Sequence, residues 1–115
     1  MQSVCEVISS LPGLKCLGGA TEEQIKITSE RLGVEFSQDY KIYLLHFGAI
    51  VAFGLELTGI SESPIINVAD VTLNERQLTL HMPDDMYVIE NIGIDGLLIL
   101  QNTNGEVYQI RPNSA

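Results

Sequence analysis

The chain of 115 residues is acidic: 15 acidic residues against 6 basic ones give a formal net charge of −9 at pH 7, and 45% of the residues are hydrophobic. This length predicts one domain, residues 1–115, that buries roughly two-thirds of its unfolded surface, and the hydrophobic content argues against global disorder. A negative surface repels the phosphates of nucleic acids and anionic lipids, so we expect neither as a partner. It suits solubility or the capture of a basic protein partner, and many acidic cytoplasmic proteins bind nothing basic.

The first twenty residues give few signals. Residues 4–11 have an apolar stripe at helical spacing and are predicted to form a short helix, and residues 14–20 a connecting loop. Residues 1–10 contain no Lys or Arg, unlike a secretory leader, and no apolar run reaches the ~18 residues of a membrane span. We therefore expect a cytoplasmic protein in which the two cysteines, Cys5 and Cys16, stay reduced, and a disulfide between them is the alternative.

Two capped helices are predicted next. Thr21 and Gln24 have the spacing of a capping box, and Gly33 is typical of a helix end. Ser37 is a candidate cap for the following helix, which Gly48 ends. The apolar stripe of that helix falls at positions i, i+3, i+4 and i+7: Tyr40, Tyr43, Leu44 and Phe47. Because the spacing already explains the tyrosines, they are predicted to be packing residues rather than catalytic ones.

The middle of the chain changes its hydrophobic period. Residues 52–58 alternate between apolar and polar or small side chains, which predicts one half-buried strand. The stretch 66–80 is ambiguous, since Asn67 could cap a helix but the valines and threonines also tolerate a strand. The helix is the favoured interpretation.

The last third is predicted to be a three-stranded antiparallel meander of residues 86–94, 97–102 and 106–110. Asp95-Gly96 and Asn104-Gly105, at its two joints, accept the positive φ angles of tight hairpin turns. The middle strand is apolar on both faces, so it should be covered on each side or lie mid-sheet. Together the elements predict an α+β domain in which N-terminal helices pack against a mostly antiparallel sheet that ends in this meander.

The residues that most often perform catalysis or bind metals are few. Cys5, Cys16, His46 and His81 lack the close C-x-x-C or H-x-x-x-H spacing by which one turn or helix binds an ion. The sequence has neither a G-x-S-x-G nucleophile elbow nor a glycine-rich phosphate loop ending in G-K-[ST]. We therefore expect no metal, no cofactor and no enzymatic activity.

Carboxylates at turns and strand ends are the candidate binding residues: Glu56, Glu62, Asp84, Asp85, Glu90 and Asp95. Glu56 is the most plausible single site, because Gly54 and Gly59 on either side would leave room for the backbone of a partner. Two such acids with separated pKa values could also act as a general acid and base. The ordinary alternative is that all of them are solvated turn and strand-end residues.

Several short segments, in order, resemble one known family. They are Thr21-Glu22-Glu23-x-Ile25, Leu32-Gly33-Val34, Asp39-Tyr40-Lys41-x-x-Leu44, Phe47-Gly48, Phe53-Gly54-x-Glu56-Leu57-x-Gly59, Asn67-Val68 and Gly105-Glu106-Val107-Tyr108. Over residues 21–108 the chain is similar to the SUKH superfamily, which includes the yeast Smi/Knr cell-wall assembly regulators and many bacterial immunity proteins. It departs from many members by having Phe47-Gly48 in place of an asparagine-glycine pair.

The resemblance implies an α+β fold and a protein-binding function without catalytic residues. Bacterial members neutralise toxins, frequently nucleases, in the cytoplasm, and nuclease toxins tend to be basic because their substrate is a polyanion. The resemblance and the acidic charge together predict an immunity protein or antitoxin for a basic toxin, with the six carboxylates as binding residues. The alternative is an intracellular regulatory adaptor of the cell-wall regulator type.

Overall fold

The computed structural model describes residues 10, 13–52, 55–78, 82–91 and 97–110. All of the predicted helix at 4–11 except residue 10, together with Cys5, Gly54, His81 and the predicted turn at Asp95-Gly96, lies outside the described residues.

Three helices are described: α1 (Glu22–Leu32), α2 (Gln38–Phe47) and α3 (Val68–Leu78). Each begins at its predicted cap, because side-chain oxygens of Thr21, Ser37 and Asn67 accept hydrogen bonds from amides of the first turn. The capping box of α1 is complete, and the helix at 66–80 is confirmed in place of the strand. In the described part of the chain, no helix is long and apolar enough to cross a bilayer.

The first sheet corrects two predictions. It has the order β1 (Lys15–Cys16), β2 (Ile50–Ala52) and β3 (Leu55–Leu57), all antiparallel. The prediction of a loop over residues 14–20 is wrong at β1, which is held by pairing with β2 rather than by any pattern of its own. The prediction of one strand over residues 52–58 is also wrong. Ala52 pairs with Leu55, so the chain reverses between them, and an alternating pattern does not distinguish one strand from two.

At two glycines of the resemblance motifs, Gly48 and Gly59, backbone segments distant in sequence approach each other closely beside this sheet. Gly48 ends α2 with φ 73°, and a Cβ built there would lie 2.2 Å from the carbonyl oxygen of Gly18. A Cβ at Gly59 would lie 1.7 Å from the carbonyl oxygen of Gly48. Both distances are far below a real contact, so only glycine fits at either position.

The second sheet is the predicted meander. It consists of β4 (Met86–Asn91), β5 (Leu98–Asn102) and β6 (Val107–Ile110) in antiparallel order. Gly105 has φ 85° in the predicted β5–β6 turn. The prediction of an α+β domain with a C-terminal three-stranded meander is confirmed, and β5 lies mid-sheet as its apolar faces require.

Two hydrophobic clusters lie on opposite faces of the second sheet. The larger combines the apolar sides of the three helices with Ile50 and with Tyr87 of β4. The smaller contains Val88, the next residue of β4, together with buried residues of β5. Since consecutive strand residues point to opposite faces, Tyr87 packs in the larger cluster and Val88 packs in the smaller one.

Candidate protein-binding surface

The hydroxyls of the core tyrosines are used inside the protein. Tyr43 Oη donates to the Thr58 carbonyl at 2.8 Å, and Tyr40 Oη lies 3.0 Å from Thr58 Oγ1. Tyr87 Oη donates to Gln101 Oε1 at 2.9 Å. Burial raises the pKa of all three tyrosines above the usual value, so the hydroxyls stay protonated and act as donors. The prediction that Tyr40 and Tyr43 are packing residues is confirmed.

Glu56 lies on the exposed face of the first sheet. In the register of its strands Glu56 pairs with Val51, and Val51 pairs with Lys15, so the three side chains share one face. All three are exposed. The expected room beside Glu56 is corrected at Gly59, because that space is filled by the backbone of Gly48.

Glu62 lies in the loop between β3 and α3, and its side chain is exposed. The loop is held from both sides of Glu62. The Ser63 amide donates to Ser61 Oγ at 3.0 Å, and Asn67 Nδ2 donates to the Ser61 carbonyl at 2.8 Å. The loop therefore presents Glu62 from a backbone that is fixed by internal hydrogen bonds.

Asp84 and Asp85 are exposed in the turn that precedes β4. Arg76 of α3 fixes this turn, since its Nη2 donates to the Asp84 carbonyl at 2.9 Å. Strands β4 and β6 both pair antiparallel with β5, so they run parallel to each other and begin at the same end of the sheet. Glu106, which directly precedes β6, therefore lies at the same end as the two aspartates. Glu106 is not among the binding residues predicted from the sequence, because strand topology rather than residue spacing brings it to this end.

Glu90 is separated from this acidic end. At about 3.3 Å per strand residue, it lies roughly 16 Å along β4 from Asp85. Its side chain is half-buried, and this burial raises the pKa of the carboxyl. Asp95, the remaining predicted residue, lies outside the described residues.

The described basic residues are largely engaged by the protein itself. Ion pairs join Lys26 to Glu30, Lys41 to Glu35 and Arg31 to Asp70, and Arg76 bonds to backbone carbonyls. By contrast, no described cation forms an ion pair with any of the five predicted acids that the structure describes, Glu56, Glu62, Asp84, Asp85 and Glu90. The surface thus presents uncompensated negative charge at several places.

A groove of about 500 Å³ lies between α1 and α2, and the sequence analysis missed it. Ile42 and Leu45 of α2 line it with exposed apolar surface, and Lys26 and Lys41 contribute charges from the two helices. The signal was present in the sequence as apolar residues outside the core stripe of α2. Both lysines are paired with acids, so the groove has no charge preference comparable to that of the acidic end.

The family model described as SUKH_5, SMI1-KNR4 cell-wall, matches residues 1–113. The chain belongs to this family. A comparison with curated proteins gave no match. Membership in the SMI1-KNR4 family supports a non-catalytic module of the immunity or regulatory type, with proteins as its partners. The internally bonded tyrosines and the uncompensated surface acids of this member are compatible with such a module.

Proposed function

We propose that this SMI1-KNR4 family member is an immunity protein that neutralises a basic protein toxin, such as a nuclease, by covering the toxin's active site. The observation that carries the proposal is the set of exposed carboxylates without a described cationic partner, above all Asp84 and Asp85, which lie at the same end of the second sheet as Glu106. A toxin that binds a polyanionic substrate has a cationic site, and rigidly held carboxylates can take the place of that substrate.

The acids lie on more than one part of the surface, so their contributions can be separated. Asp84 and Asp85 belong to the acidic end of the second sheet, Glu56 to the open face of the first sheet, and Glu62 to the loop before α3. If the toxin covers one of these places, variants at that place bind the toxin weakly. Variants at the other places bind it almost as well as wild type.

The first experiment is co-expression with the neighbouring reading frame, tested as the toxin. Cells that carry both genes are expected to survive, and cells that carry the toxin alone are expected to die. Equal killing with and without this protein would end the proposal.

The second experiment measures association with the purified toxin as a function of ionic strength. Because exposed charges are screened beyond about 8 Å at physiological salt, the association rate should fall steeply as salt is added. The double variant Asp84→Asn, Asp85→Asn is expected to associate several-fold more slowly and with a shallower salt dependence. The double variant Glu22→Gln, Glu23→Gln, at two exposed positions in the first turn of α1, removes the same two charges elsewhere and is the control for net charge alone.

A regulatory adaptor is the second candidate, favoured by the cell-wall description of the family model. The position of the gene separates the two functions. An adjacent toxin reading frame favours immunity, and genes for cell-wall synthesis in its place favour the adaptor.

A further inference from the structure

The outer edge of β4 is occupied by side chains of the same chain. Thr72 Oγ1 accepts from the Val88 amide at 3.0 Å, and Thr58 Oγ1 donates to the Val88 carbonyl at 2.7 Å. Arg76 donates to the Asp84 carbonyl just before the strand. The outward amide and carbonyl of Val88, in the middle of β4, are therefore satisfied internally and are not available to another strand.

Strand β6 is the last strand of the second sheet, and within residues 13–52, 55–78, 82–91 and 97–110 nothing pairs with its outer edge. Val107 is 55% exposed and Tyr108 42% exposed. The sequence of β6, Val-Tyr-Gln-Ile, contains neither a charge nor a proline, which are the features that usually protect an open edge.

The register shows which backbone groups of β6 point outward. The Asn102 amide donates to the Glu106 carbonyl at 3.1 Å, which fixes the phase of the β5–β6 ladder. Hydrogen-bonded and non-hydrogen-bonded pairs alternate in an antiparallel ladder, so Tyr108 bonds inward to β5. Val107 and Gln109 then direct their amides and carbonyls away from the sheet, at the spacing that an added strand needs.

Charge decides which strand fits this edge. Glu106 directly precedes β6, and Asp84 and Asp85 lie at the same end of the sheet. A second copy of the chain would bring a further net charge of −9 to the same place, and this repulsion opposes self-pairing. A strand that carries lysine or arginine is attracted instead.

We propose that the outer edge of β6 binds an extended, basic segment of a protein partner by strand addition. Alternate apolar side chains of that segment pack beside Val107 on one face of the sheet, and its cationic residues lie on the other face, which Glu106 and Tyr108 share. The proposal rests on the proposed function, since it names the part of the toxin that this protein would bind.

The test uses a capped peptide of alternating lysine and valine as the probe, with amide hydrogen exchange of the intact protein as the readout. The amides of Val107 and Gln109 are expected to exchange more slowly when the peptide is present. Gln109→Pro removes one outward amide and keeps the inward bonds of β6, and it should weaken peptide binding roughly tenfold, which corresponds to ~1.4 kcal/mol. Gln109→Ala keeps the amide, so the difference between the two variants isolates the backbone contribution.

A glutamate-valine peptide tests the role of charge and is expected to bind far more weakly than the lysine-valine peptide. Equal binding of the two peptides, equal binding by wild type and Gln109→Pro, or protection in the α1–α2 groove instead of β6 overturns the inference. So does the absence of any protection at Val107 and Gln109. A wild-type dimer that Gln109→Pro converts to a monomer in sedimentation also overturns it, because the occupant is then a second copy.

Co-expression separates this inference from the proposed function. If wild type and Gln109→Pro protect cells from the toxin equally well, the edge is not the binding site and the immunity function stands. If wild type itself fails to protect cells from the toxin, the proposed immunity function is wrong. The peptide measurements then test strand addition at β6 independently.

Discussion

The two edges of the second sheet differ in how their backbone groups are satisfied. The β4 edge forms hydrogen bonds with Thr58, Thr72 and Arg76, which lie outside the sheet: Thr58 and Arg76 donate to backbone carbonyls, and Thr72 accepts from the Val88 amide. On the β6 edge, Val107 and Tyr108 remain exposed. The buried hydroxyls of Thr58 and Thr72 thus bond to the protein's own backbone at the β4 edge. The β6 edge is the one at which a partner can add backbone hydrogen bonds.

Loss of the Thr58 hydroxyl should have the largest effect on this comparison. Thr58→Val keeps the shape of the side chain but leaves the Val88 carbonyl and Tyr40 Oη without the hydroxyl they contact. We expect the free energy of unfolding, measured in urea, to fall by about 2–3 kcal/mol. Thr103→Val is the control, because the exposed Thr103 hydroxyl makes a single bond to the Glu35 carbonyl. A loss no larger than that of the control would contradict a structural role for Thr58.

Loss of the Thr72 hydroxyl should cost less, because one contact is removed. Thr72→Val leaves the Val88 amide without its acceptor at a fully buried position, so we expect a loss of about 1–2 kcal/mol. On the open edge Gln109→Val removes no described hydrogen bond and is expected to change stability by about 0.5 kcal/mol at most. Equal effects of the two substitutions would remove the distinction between the edges.

Replacement of Arg76 should have a smaller effect again. Its guanidinium donates to the carbonyls of Leu32 and Asp84 at 3.0 and 2.9 Å and so joins the end of α1 to the turn before β4. Arg76→Met keeps most of the apolar stem, and water can reach a half-exposed site, so we expect a loss of about 1 kcal/mol in urea unfolding. Faster exchange of amides in the turn at Asp84 and Asp85 is the accompanying local signal. An unchanged exchange rate there would show that Arg76 does not hold the turn.

Removal of the Glu90 charge should have the smallest effect and the opposite sign. Burial raises the pKa of Glu90 above its ordinary value of 4.5, so the folded state binds the proton more tightly than the unfolded state. Stability then falls as pH rises from the unfolded pKa through the folded pKa, and the cost is fully present above both. Glu90→Gln should raise the Tm slightly at neutral pH and lose this advantage below about pH 4. Glu62→Gln, an exposed position with the same charge change, is the control; an equal rise in both would attribute the effect to net charge.

The helices and the meander could be predicted because their signals are local. The caps at Thr21, Ser37 and Asn67 and the turn glycine Gly105 act over a few residues, and the structure confirms all of them. The strand β1 could not be predicted, because two residues carry no period and depend entirely on pairing with β2. The hairpin of β2 and β3 was missed since alternation continues unchanged across its turn.

The candidate surface could be predicted only in composition. The carboxylates at turns and strand ends were selected from the sequence, and four of them, Glu56, Glu62, Asp84 and Asp85, are exposed. Which acids lie together depends on strand direction, and this brings Glu106 to the end that holds Asp84 and Asp85. It also places Glu90 at the opposite end of β4.

The sequence by itself determined the negative charge, the helix boundaries and the family, because these depend on residue type and on short-range order. Only the tertiary structure decided that Thr58 and Thr72 bond to one sheet edge and that no described residue pairs with the other edge, at β6. The physical reason is that contacts between residues distant in sequence decide whether a strand edge is covered. Such contacts produce no periodic pattern in the amino-acid sequence.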